Sequence, residues 1–114
     1  MYINFEHLNT LAGIMGAAFD ELIPAYIEAT DEFFKTITQF ISEGDIRTAE
    51  RLAHSLKSSS RNIGAEQLGD LAETMEAGLR ENELQNFADE FKRAEEIYIH
   101  VRQSLVDFRP DVQA

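Results

Sequence analysis

The spacing of apolar residues limits what this chain can fold into more than any other feature. Leu84, Phe87, Phe91, Ala94, Tyr98, Val101, Leu105 and Phe108 recur in steps of three and four, the period of a helix with one buried face. A strand would need alternation at every second residue, and no stretch supplies it convincingly. Four more segments repeat the helical period. Residues 4–12 place Phe5, Leu8 and Leu11 on one side, with Asn4 as a possible N-cap. Residues 17–42 carry Phe19, Leu22, Ile23, Tyr26, Ile27, Phe33, Phe34, Ile37, Phe40 and Ile41. In residues 46–62 the stripe is Ile46, Ala49, Ala53 and Leu56, with small Ser60 filling a gap before Ile63. In residues 65–81 it is Leu68, Leu71, Ala72, Met75 and Leu79, and the last segment covers residues 83–108.

Breakers set the boundaries. Gly13 and Gly16 loosen the chain after the first segment, and Pro24 predicts a kink or a break near the start of the second. Glu43-Gly44-Asp45 reads as a helix stop, a turn and a new N-cap. Gly69 and Gly78 lie inside the fourth segment, each costing about 1 kcal/mol of helix propensity relative to Ala; such residues usually allow close helix packing. Arg109-Pro110 ends the last helix, leaving a frayed tail over residues 111–114. Short connections force antiparallel neighbours. The expected fold is therefore all-α: an antiparallel up-down-up-down four-helix bundle, one domain over residues 1–114, with a short extra N-terminal helix as a lid.

A chain of 114 residues buries roughly two-thirds of its unfolded surface. The formal charge of -11 argues against nucleic acid and anionic membrane as partners. With no cysteine there is no disulfide framework, thiolate metal site or cysteine nucleophile. The N-terminus lacks the basic start and apolar core of a signal peptide, and the weakly polar run at residues 11–19 is too short to span a bilayer. A cytoplasmic monomer is expected.

Chemistry concentrates in the third segment. Ala53-His54-Ser55-Leu56-Lys57-Ser58-Ser59-Ser60-Arg61-Asn62-Ile63-Gly64-Ala65 reads as most of a helix ended by Gly64. His54 lies about 100° around that helix from Ala53, beside the core stripe and turned toward solvent. Arg47, Arg51, Lys57, Ser58 and Arg61 share its strip, three, four or seven positions away. Four of the chain's 10 Lys and Arg residues thus gather here, opposed locally only by Asp45 and Glu50. An exposed imidazole on a cationic strip suits a group that becomes negatively charged, and phosphate is the obvious candidate. Lys57 could neutralise it as a point charge, and Ser58 is small enough to let a partner approach. A neutral imidazole is nucleophilic at one nitrogen only when the other carries the proton. A carboxylate or amide accepting from that second nitrogen would fix the tautomer and steady the developing imidazolium.

The pattern Ala53-His54-x-Leu56-Lys57-x-Ser59-Ser60-x-x-Ile63-Gly64-Ala65 resembles the signature of histidine-containing phosphotransfer (HPt) domains. Asp45 before the helix and the Leu-x-x-x-Met-Glu pattern from Leu71 to Glu76 add to the likeness. Element order agrees along roughly the whole chain, and about residues 45–80 carry the specific signal. The resemblance implies a four-helix bundle that relays a phosphoryl group between receiver domains of two-component systems. His54 would attack one receiver's aspartyl phosphate in line, then surrender the group to a second receiver's aspartate. Glu76, twenty-two positions after His54, matches the family's tautomer-orienting position, and Arg80 matches a cation found near the phosphate in some relatives. Lys57 takes the role of charge stabiliser. Arg47, Arg51, Ser58 and Arg61 form the exposed rim on which partner specificity depends. The implied partners are receiver domains of a hybrid sensor kinase and of a response regulator. They bring the Mg2+ and the acidic site, so no cofactor is expected in this chain. It shows no Gly-rich phosphate loop and no kinase signature, which makes it a carrier and not an enzyme. One departure stands out: the family usually has Gly where this chain has Ser58, and that glycine helps a receiver come close.

Three other readings stay open. An adaptor on the same bundle that has lost phosphotransfer is suggested by Ser58 alone. A metalloprotein would use Glu50 and His54, four apart, but no second histidine shares that face, and no metal site is expected. A domain cut from a longer hybrid or chemotaxis-type kinase is the third, although Met1 and the short tail favour a free-standing protein. His7 and His100 have no motif around them and read as structural or incidental.

Overall fold

Each apolar stripe becomes a helix in the computed structural model, which describes residues 1–110. The helices are α1 (Phe5–Met15), α2 (Phe19–Ser42), α3 (Ile46–Asn62), α4 (Glu66–Arg80) and α5 (Phe87–Asp107), with a 3-10 turn at Gly16–Ala18. The described residues contain no strand. The Asn4 side chain accepts from the His7 N–H at 3.0 Å, and Asp45 accepts from Thr48 N–H at 3.2 Å, so both expected caps form. Gly44 and Gly64 end α2 and α3 at φ 81° and 91°, a backbone region where a Cβ is strained.

Three boundaries differ from expectation. α1 runs through Gly13 to Met15, and the chain turns at Gly16, φ 58°. α2 is unbroken although Pro24 lies in its second turn. This proline forfeits only the bond its N–H would have made to the Asp20 carbonyl, at the exposed start of the helix. α5 begins at Phe87 and not near residue 83. Asn82 takes φ 55° and the Glu83 N–H donates to the Gly78 carbonyl at 2.7 Å, which closes α4 and leaves half-buried Leu84 in the connection. Gly78 serves this closure, since a Cβ there would meet the Glu83 carbonyl at 2.9 Å. The expected fraying over residues 111–114 lies outside the described residues.

Packing follows the order of the chain: α3 lies most extensively on α4, then on α2, and α5 bridges α4 and α2. Ile37, Ala49, Ala53, Leu68, Met75 and Val101 are fully buried in the shared core. Ser60 is buried as well, and its hydroxyl pairs with that of Tyr26 at 2.7 Å. Between α2 and α5, Asp31 accepts from Tyr98 Oη at 2.6 Å and from two Arg102 nitrogens at 3.2 Å. α1 braces the α3–α4 turn: Asn4 N–H donates to the Gly64 carbonyl at 3.0 Å and His7 Nε2 donates to that of Asn62 at 2.7 Å. α1, the 3-10 turn and α2 follow without a gap from Phe5 to Ser42. Within that joined run an 18-residue window reaches a mean hydropathy of 1.2, apolar enough by composition alone to cross a membrane, and 11% of that window is buried in the bundle. The run extends past the residues 11–19 judged too short from sequence. It is not one straight helix, since it turns at Gly16, φ 58°, and α2 sends Phe19, Tyr26, Phe33 and Ile37 into the bundle core.

Tyr26→Phe leaves the Ser60 hydroxyl without its buried partner and is expected to cost about 1–2 kcal/mol in urea denaturation, with helical circular dichroism unchanged. The Arg102 hydrogen bonds, opposed by desolvation and aided by Tyr98, hold Asp31 below its ordinary pKa of 3.8. A depressed carboxylate stabilises the fold above its unfolded pKa, and the contribution fades as pH falls through the folded value. The stability gap between the natural protein and Asp31→Asn should therefore be full at neutral pH and shrink below about pH 4.

Candidate functional site

Small residues bring α3 and α4 together where His54 and Glu76 meet. Ala49 and Ala53 on α3 and Ala72 on α4 are wholly buried, and their short side chains allow the close approach. His54 follows Ala53 and leaves the core, its side chain 58% exposed. Glu76 follows Met75 and faces α3, only 5% exposed.

Glu76 is the hub. Its Oε2 lies 2.7 Å from His54 Nδ1. A carboxylate can only accept, so Nδ1 carries the proton and Nε2 keeps its lone pair. Lys57 Nζ sits 2.7 Å from Oε1 as an ion pair, outside aligned hydrogen-bond geometry. Arg80 Nη2 lies 3.4 Å from Oε2, and Arg80 Nε reaches Glu50 Oε1 at 3.5 Å. Burial pushes the Glu76 pKa up, but Lys57 and then His54 outweigh it, and the carboxyl is held below its ordinary value. It is thus an anion at neutral pH, as the Nδ1–H assignment requires.

The structure brings His54, Lys57, Glu76 and Arg80 into one cluster. Arg47, Arg51 and Ser58 are exposed around it, with Arg51 Nη2 donating to Thr48 Oγ1 at 3.3 Å. Arg61 is turned toward α4, bonded to Asp70 and Glu73 at 3.0 Å each. Gly69 makes this possible, because a Cβ there would lie 2.7 Å from Arg61 Cγ; close packing at this glycine serves a side chain and not a neighbouring helix. Arg47, Glu50, Arg51, His54, Ser55 and Glu76 line an open cavity of about 610 Å3. Glu50 is the residue that sequence reasoning undervalued. It lies four positions before His54 on the same face, which was the available signal, but its pairing with Arg80 depends on how α3 and α4 cross. No group of three His, Asp or Glu side chains among the described residues is arranged to hold a metal ion.

The tautomer is measurable by 15N NMR. The neutral His54 ring is expected in the Nδ1–H form. Glu76→Ala should move it toward the Nε2–H form that a free imidazole prefers, and an unchanged tautomer would show that Glu76 does not set it.

No curated protein sequence matches this chain. Among solved structures, the crystal structure of histidine-containing phosphotransfer protein B (HptB) from Pseudomonas aeruginosa PAO1 matches with a TM-score of 0.83 at 23% identity, covering 95% of this chain and 97% of that one. At that identity the likeness speaks for the fold: the helical bundle expected from the apolar periodicity. The sequence model of the Hpt domain family matches residues 21–105, a span that takes in all of α3 and α4 with His54 and its partners. This chain belongs to the Hpt domain family.

Proposed function

We propose that this protein is a phosphorelay intermediate that accepts a phosphoryl group on His54 from a receiver-domain aspartate and passes it to a response-regulator receiver. Hpt proteins are phosphocarriers of two-component signalling and interact with receiver and kinase domains. One observation carries the assignment to His54: an exposed imidazole whose Nδ1 proton is held by a buried, ionised Glu76 at 2.7 Å, leaving Nε2 as the free nucleophile.

In the accepting step the Nε2 lone pair attacks phosphorus while the P–O bond to the aspartate breaks, and the electron pair leaves with the carboxylate. No proton has to move. Nδ1 keeps its hydrogen, and the ring becomes a phosphoimidazolium whose new positive charge faces Glu76. The retained proton also makes the ring a neutral leaving group when the phosphoryl moves on. Transfer through a loose, metaphosphate-like transition state asks for positioning and charge more than covalent chemistry. Lys57 and Arg80 offset the Glu76 anion and add positive potential beside the ring. Mg2+ and the acidic catalytic site belong to the receiver. Arg47, Arg51 and Ser58 form the docking rim, Ser58 leaving room for a close approach despite its hydroxymethyl group; Arg61, expected on that rim, is instead engaged by Asp70 and Glu73 on α4. The protein acts as a monomer in the cytoplasm, where such receivers work.

The test is phosphoryl transfer from several phosphorylated receivers of the same source. Acid-labile, base-stable label on the natural protein and none on His54→Gln is the expected result. Glu76→Ala should transfer about tenfold more slowly, the worth of one hydrogen bond to a charged group. A folded protein that binds a receiver but never takes label would be an adaptor, and the proposal would fall.

A further inference from the structure

The charges around His54 divide into two sets. Glu50, Glu76, Lys57 and Arg80 form the first, two carboxylates against two cations in contacts of 2.7 to 3.5 Å. Its charge is already compensated. Arg61 is likewise engaged by Asp70 and Glu73. Arg47 and Arg51 form the second set. Neither has a carboxylate within ion-pair distance among the described residues; the Arg51 guanidinium donates to the Thr48 hydroxyl at 3.3 Å and feels Asp45 only at longer range. Both line the open cavity beside His54.

Direction matters as much as charge. Side chains on a helix lean toward its N-terminus, so the His54 ring lies over the turn that carries Glu50 and Arg51. With Nδ1 turned to Glu76, Nε2 is on the far side of the ring from that contact. A phosphoryl group there brings close to two negative charges next to two arginines that no carboxylate contacts directly, although Asp45 shares in the field of Arg51. Lys57 or Arg80 could swing to it only by leaving Glu76, a buried carboxylate that would then lack a counter-charge.

We infer that Arg51, supported by Arg47, is the cation site for the phosphoryl oxygens of phosphorylated His54, the Arg51 guanidinium leaving Thr48 to bind them. This rests on the carrier role of His54 and adds which side chains hold the cargo. The site is solvent-exposed, so the contact is weak and screened by salt. A carrier that must release its group is served by such a contact.

Phosphoramidate loads the full-length protein without a receiver. Nε2 attacks phosphorus, the P–N bond of the donor breaks, and ammonia leaves with the electron pair. The phosphohistidine signal that His54→Gln lacks is then titrated by 31P NMR. A neighbouring cation favours the dianion and lowers the phosphoryl pKa, so Arg51→Gln should raise it. The expected rise is a few tenths of a unit, about a twofold change in the dissociation constant, the size of an exposed ion pair. Arg47→Gln/Arg51→Gln should raise it further, Arg51→Lys should keep most of the natural value, and about 1 M salt should erase the differences. Identical titrations in all variants, with receiver transfer slowed, would make the arginines docking residues only and overturn the inference. A natural protein that takes phosphate on His54 neither from phosphoramidate nor from any receiver would overturn the carrier role itself.

Discussion

A buried carboxylate is costly unless its charge is met, and Glu76 meets that condition with three partners on two helices. His54 and Lys57 reach it from α3 and Arg80 from its own helix, at 2.7, 2.7 and 3.4 Å. Removing one partner would leave the desolvated Glu76 charge less well met, although the partners themselves are partly exposed. The cluster therefore fixes the rotamer of each member. An exposed imidazole would otherwise sample both tautomers and several orientations. Here its orientation is inherited from an anion that the fold cannot release cheaply.

That arrangement depends on how α3 and α4 are joined. Ala49, Ala53 and Ala72 keep the interface thin, Gly64 turns the chain at φ 91°, and Gly69 gives Arg61 a path across α4 to Asp70 and Glu73. α1 ties its start to the same turn through Asn4 and His7. His7, which carries no motif, thus has a structural role: its Nε2–H satisfies a carbonyl at the end of α3. Tyr26 and Ser60 pin α2 to α3 one and a half turns beyond the histidine. The face that carries His54 rests on a scaffold braced from both sides.

Much of this was legible in the residues, and the limits have physical causes. The period of three and four identified every helix and most of the core, because burial of one face is a property of spacing alone. The exposure of His54 followed from its place beside Ala53. The orienting role expected of Glu76 came from a family resemblance; periodicity alone put it at the edge of a stripe, where a surface carboxylate is equally well accommodated. The burial of Glu76 and its pairing with Lys57 required the helix crossing. Glu50 and Arg80 lie thirty positions apart, and no local rule joins them. The late start of α5 has a similar origin: Leu84 fits the helical period yet packs from a loop, since Asn82 at φ 55° has already turned the chain. Periodicity reports burial, and a loop residue can be buried in register.

A relay intermediate must take and give with nearly equal ease, which limits where stabilisation can be placed. A strong clamp on the phosphoryl group would speed loading and then trap the product. On the proposed reading, the well-defined buried interaction acts on the ring. Glu76 holds the Nδ1 proton before the group arrives, while it is carried and after it leaves, so it orients the ring throughout, and its hydrogen bond strengthens while the ring is cationic. The phosphoryl group meets only exposed cations on the rim, where ion pairs are worth about 0–1 kcal/mol. The chain's charge of -11 places the remaining surface in opposition to any anion, so the cationic rim beside His54 is a local exception within a repelling field. Orientation comes from the interior and affinity from the surface, and the two can be tuned independently.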